Sequence, residues 1–180
     1  MIEIVFIQRF LLFFGEPVYT FAVVLAGLLG FAGIGSLMVG GLAANHRAFL
    51  LWTIPAILAV LLLTTVLSSR IFTSGFAPFV LWRIVIVLAM LAPLGILLGM
   101  PFPIGLYIVA DVAPSFVPWA WGVNGFFTVI GSIGASILAM ATGFTAVLAF
   151  SGVCYFVALL AITAAHRRMP ATSEEVLGSV

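Results

Sequence analysis

Runs of some twenty apolar residues, split only by short polar breaks, fill most of this chain of 180 residues. Coiled as a helix, a run of roughly 20 residues matches the hydrocarbon thickness of a bilayer. The composition leaves little alternative, with 65% hydrophobic and 6% charged residues and a mean hydropathy of +1.41. A soluble domain of this size needs far more charge to cover its surface. The chain therefore reads as an all-α, polytopic integral membrane protein, a helix bundle surrounded by lipid.

Five spans are expected at 18–42, 49–67, 79–98, 118–140 and 147–165. A shorter run, 4–14, carries Gln8 and Arg9 and is broken by Gly15-Glu16-Pro17. It reads as a short, tilted or interfacial helix or the end of a longer one, which makes six helices in all. Polar residues set the connections: Asn45-His46-Arg47, then Ser68-Ser69-Arg70 continuing through Thr73-Ser74-Gly75, and the tight turn Thr142-Gly143-Phe144-Thr145. Pro118 suits the first turn of a helix. Residues 104–110 read as a short half-helix ending at Asp111 and Pro114. The organisation is one transmembrane domain, 1–168, and a polar tail, 169–180. The start lacks a basic leader and a small-residue cleavage site, so it reads as a retained membrane segment. Trp52, Trp82, Trp119 and Trp121 all fall near span ends, where the interface favours indole rings. Arg47 and the Arg167-Arg168 pair fall on one side of the alternating spans, which favours a cytoplasmic C-terminus.

The charged residues exclude several functions. All six basic residues are arginines, and the net charge is +1. That is no basic patch for nucleic acid. Cys154 is the single cysteine, so no disulfide within one chain and no cysteine metal site can form. It reads as helix packing. His46 and His166 stand at helix ends, far apart in sequence, and neither pairs with a serine or an acid in any catalytic pattern. No catalytic residue, metal site or cofactor is expected.

Candidate residues are then the polar and small ones within the spans. Gly27, Gly30, Gly33, Gly35, Gly40 and Gly41 on one span, and Gly122, Gly125, Gly131 and Gly134 on another, are expected to let helices approach closely. Gly33-Ile34-Gly35 lacks the preceding strand a nucleotide-binding turn needs. Asn124, Thr128, Ser132 and Ser136 recur every four residues, which puts them on one helix face. That face either bonds to a neighbouring helix or lines a polar cavity. Arg9, Glu16 and Arg83 are the ionisable residues nearest hydrocarbon, where charge is costly and functional sites are common. Arg9 and Glu16 could pair across the Gly15–Pro17 break, and Arg83 could snorkel to the interface. Gly99-Met100-Pro101-Phe102-Pro103-Ile104-Gly105 cannot continue a regular helix, because two prolines each remove a backbone donor. It is either a loop outside the membrane leading to an interfacial helix, or a helix broken at membrane depth, as in transporters.

Three ordered blocks carry a family resemblance. They are 3–10 (EIVFIQRF) with 14–19 (FGEPVY) and 33–36 (GIGS), then 99–106 (GMPFPIGL), then 118–125 (PWAWGVNG) with 131–135 (GSIGA). Together they resemble the C-terminal membrane region of bacterial spermidine-synthase-like proteins, which join transporter-like helices to a methyltransferase-type catalytic domain. The resemblance runs from Glu3 to about Ala165 and implies a bacterial inner-membrane location. The chain has no glycine-rich strand-to-helix turn for such a catalytic domain, so the family's enzymatic activity is not expected. The expected function is a non-catalytic membrane module, an accessory or scaffold subunit whose partners are the bilayer and other membrane subunits or copies of itself. The alternative is a small-solute transporter or half-transporter, with a polyamine-like substrate, working as a homo-oligomer.

Overall fold

A computed structural model describes residues 2–41, 46–73 and 79–168. Among the described residues all regular structure is helical: α1 (Ile2–Phe14), α2 (Pro17–Gly41), α3 (His46–Thr73), α4 (Val80–Leu98), α5 (Pro101–Val112), α6 (Val117–Thr142) and α7 (Phe144–Arg168), with one 3-10 turn at Pro114–Phe116 before α6. Five segments are long and apolar enough to cross a membrane, α4 and α5 together forming the third, Val80–Val112. The protein is thus an all-α, multi-pass membrane bundle.

Two glycines set the tightest turns. Gly15 and Gly143 take φ of +76° and +88°, a region that side chains disfavour. Their N–H groups close the preceding helices, on Leu11 and Ala139 carbonyls at 2.9 and 3.0 Å. Gly143 alone separates α6 from α7. The helices consequently alternate in direction, and α1, α3 and α6 end on the membrane face where α2, α4 and α7 begin. The opposite face holds the start of α3 and the end of α7.

Several boundaries differ from expectation. Ser68-Ser69-Arg70 does not end α3, because the Ser68 and Ser69 hydroxyls donate to Thr65 and Val66 carbonyls at 2.9 and 2.7 Å and stay within the helix. His46 and Arg47 begin α3 rather than sitting in a loop, and Thr73 ends it. Asp111 lies inside α5. The rest of those loops (Asn45, Ser74 and Gly75) and the tail 169–180 fall outside the described residues.

The short first helix is not peripheral. Its thirteen residues rise about 20 Å. It sits inside the bundle against α2, α4 and α7. Val5, Phe6 and Phe10 are fully buried, and the Phe6 and Phe10 rings stack at 5.8 Å. Since lipid is as apolar as these side chains, close packing and hydrogen bonds hold α1 there, not the hydrophobic effect. Two arginines supply the bonds. Arg9 donates to the Thr65 carbonyl at 3.1 Å and the Ser68 hydroxyl at 3.2 Å of α3. Arg83 of α4 donates to the Phe13 carbonyl at 2.9 Å, at the end of α1, and lies 5.6 Å from the Phe13 ring centre.

The tightest packing joins α2 and α4, which run parallel. A Cβ at Gly35 would fall on the Ile96 carbonyl, and one at Gly99 on the Ala32 carbonyl. A Cβ at Gly95 would come within 2.7 Å of the Phe31 Cβ, and one at Gly27 within 2.8 Å of the end of Leu88. Only glycine permits backbone to rest on backbone in this way.

Candidate functional site

The Gly99–Gly105 segment is a helix broken at membrane depth, not an external loop. Met100 and Ile104 are buried beside Val39, Leu50 and Ile54. The interruption is also milder than two prolines suggest. Gly99 and Met100 keep right-handed helical angles, and Ile104 N–H reaches the Met100 carbonyl at 3.2 Å. Pro101 and Pro103 lie in the first turn of α5, where a missing N–H costs nothing because that turn has no intrahelical acceptors. Phe102 then meets Trp121 edge-on at 4.8 Å, which ties α5 to the start of α6.

Beyond that clamp the first half of α6 stands apart, before Ala135 and Ala139 are buried and the helix packs against α7. All of residues 121–130 are exposed. In the most apolar stretch of this span only 6% of residues are buried, against 17% to 33% in the other four. Gly122, Gly125 and Gly134 face open space, as do Gly30 and Gly33 of α2. Among the described residues these glycines do not pack helices together, in contrast to the expected Gly27 and Gly35 and to Gly95 and Gly99, which were not expected to pack.

Two clefts open along α6, and Phe127 borders both. The first, of about 420 Å³, sets Asn124 opposite Pro101 and Gly105 of the helix break. The second, of about 500 Å³, is lined by Glu3, Thr128, Gly131, Ser132, Ser151, Cys154 and Tyr155, with Ile2, Leu98 and Phe127 as its apolar wall. Its depth follows from the helices: Ser151 to Tyr155 lie midway along the apolar part of α7, Thr128 and Ser132 midway along α6, and Glu3 in the first turn of α1. The site is therefore at the level of the membrane interior.

The polar stripe of α6 is thus divided between two clefts. Its hydroxyls do not bond across to other helices. Thr128, Ser132 and Ser136 donate to the carbonyls of Asn124, Thr128 and Ser132, at 2.7, 2.9 and 3.0 Å. Ser151 likewise donates to Val147 at 2.8 Å. With each O–H spent on its own helix, the oxygens offer only acceptor lone pairs to the cleft.

The ionisable residues fall elsewhere than expected. Arg9 bonds to α3 rather than to Glu16, and Glu16 is exposed at the α1–α2 turn, at the far end of α1 from the second cleft. Arg83 caps α1 instead of merely snorkelling. Cys154 is exposed and borders the cleft rather than being packed away. Glu3 is the acid the sequence reading missed. Its position near Met1 gave no sign of depth, which depends on how far α1 sinks into the bundle. Among the described residues no three His, Cys, Asp or Glu side chains gather as a metal site. No protein-family model, curated protein or solved structure matches the chain.

Proposed function

We propose that this protein is a non-catalytic membrane module, working as an accessory or scaffold subunit of a larger membrane complex. The observation that carries this reading is the uncovered α6. It combines glycines facing outward with an amide, Asn124, that makes no side-chain hydrogen bond to another described residue. Small residues let a second helix approach closely in lipid, and a polar side chain there gains from a partner. The family resemblance, which is to a membrane region rather than to a catalytic domain, supports the same reading. It also supports a bacterial inner-membrane location, and the placing of Arg47, Arg167 and Arg168 on one side supports a cytoplasmic C-terminus. The test is extraction from native membranes in mild detergent and mass spectrometry of what remains bound through size exclusion. A stoichiometric membrane partner, retained by the wild type and lost with Gly125→Leu, supports the subunit reading. A clean monomer overturns it.

The two clefts favour a second reading, a small-solute carrier working as a homo-oligomer. Flux in reconstituted vesicles tests it. Asn124→Ala should then abolish transport, whereas Glu16→Gln, which lies outside both clefts, should leave it unchanged.

A further inference from the structure

We propose that the cleft beside Glu3 binds a small alkylammonium ion, its ammonium group on the Glu3 carboxylate and its alkyl part against Leu98 and Phe127. The argument is one of donors and acceptors. The hydroxyls of Thr128, Ser132 and Ser151 all donate within their own helices, so these three offer acceptors and leave Tyr155 and Cys154 as the donors of the polar wall. A carboxylate adds more acceptors and a negative charge. A primary ammonium is the complementary group, with three donors, no acceptor and a positive charge. Glu3 stands in the first turn of α1, where the helix dipole favours a negative charge. Charge at this depth is expensive without a partner, and the Glu3 carboxylate has no ion pair or hydrogen bond to another described residue.

Size and wall chemistry narrow the class further. A cleft of about 500 Å³ falls in the range of small-molecule sites and is far larger than a bare metal ion requires. Ile2, Leu98 and Phe127 supply an apolar side that an inorganic cation would leave unused. An anion would meet the Glu3 charge and several oxygen lone pairs, with only the Tyr155 hydroxyl and the weak Cys154 thiol to donate to it. The ligand class is therefore cationic at one end and apolar at the other.

This inference deepens the carrier reading by naming a substrate class, yet it concerns binding alone, so its test is separate from transport. The full chain, purified in mild detergent, is titrated calorimetrically with n-butylammonium chloride and, in parallel, with sodium butyrate. Saturable binding of butylammonium but not of butyrate is expected. Glu3→Gln should weaken it roughly tenfold to a hundredfold, the weight of a hydrogen bond to a charged group. Glu16→Gln should leave it unchanged. The double variant Thr128→Val with Ser132→Ala keeps Glu3 and removes two acceptors, so it should weaken binding several-fold and serves if Glu3→Gln does not fold. No saturable binding of butylammonium to the wild type, equal binding of butyrate, or unchanged affinity in a folded Glu3→Gln or in the double variant would overturn the proposal. Binding without flux in vesicles would retain the site and remove the carrier reading.

Discussion

A methyl group at position 35 would have to share space with the carbonyl oxygen of Ile96, and one at position 99 with that of Ala32. Neither obstacle is the end of a flexible side chain, so α2 and α4 would have to move apart. Gly35→Ala and Gly99→Ala should therefore each destabilise the bundle by about 2 kcal/mol or more, toward the upper range for overpacking. Gly30→Ala meets nothing within 4 Å and should change stability by less than about 1 kcal/mol. Unfolding by denaturing detergent, followed by circular dichroism, separates the two outcomes. If all three variants unfold alike, the backbone crossing does not set the stability of this pair. At this scale the sequence was half informative. It advertised glycines as packing residues, and Gly27 is one, but composition cannot tell which side of a helix meets a neighbour. In α6 the same residue type faces outward. Glu3 shows the opposite failure, since a site residue looked ordinary because its depth is a tertiary property.

At the scale of elements, α1 depends on two arginines rather than on apolar burial. Arg9→Met removes bonds to Thr65 and Ser68, and Arg83→Met removes the cap on the Phe13 carbonyl. Each change also removes a charge that is costly in lipid, so the loss in global stability should be small. Local opening of α1 should become easier by about 1–2 kcal/mol, the weight of a hydrogen bond to a charged group after that offset. Hydrogen exchange read by mass spectrometry should show faster exchange within Ile2–Phe14 and unchanged rates in α2 and α4. Uniformly faster exchange would mean that α1 has no separate attachment. The Phe102–Trp121 contact is the corresponding fastening of α6, and Phe102→Ala should speed exchange in the first turns of α6. The spans themselves were legible, since a run of apolar residues of bilayer length has few other uses. The end of α3 was misread, because Ser68 and Ser69 interrupt the apolar run without interrupting the helix. The break at Gly99 was recognisable from Pro101 and Pro103, but its place inside the bundle was not. That place follows from Gly99 lying on Ala32 and from Ile104 reaching Val39 and Ile54.

At the scale of the whole molecule, the distribution of burial is uneven. The bundle closes around α1 and along the α2–α4 crossing, and α6 is left attached at its ends, by Phe102 to Trp121 and by the buried Ala135 and Ala139. In lipid an apolar surface such as Val129 and Ile133 gives no reason for a partner, because lipid tails satisfy it equally well. Outward glycines are different. Gly122 and Gly125 gain little from lipid, whereas they shorten the distance to another helix and raise its contact with the backbone. Gly125→Leu should then leave the monomer folded, since no atom of a described residue lies within 4 Å of the added Cβ, and should abolish retention of the partner, or of a second copy, in mild detergent. Gly30→Leu is the control. That glycine is also open, but it lies on α2, which already packs against α1 and α4, so association should survive its loss. Light scattering coupled to size exclusion gives the mass of each complex. Equal masses for wild type and Gly125→Leu, with Gly30→Leu the one that dissociates, would move the interface from α6 to α2.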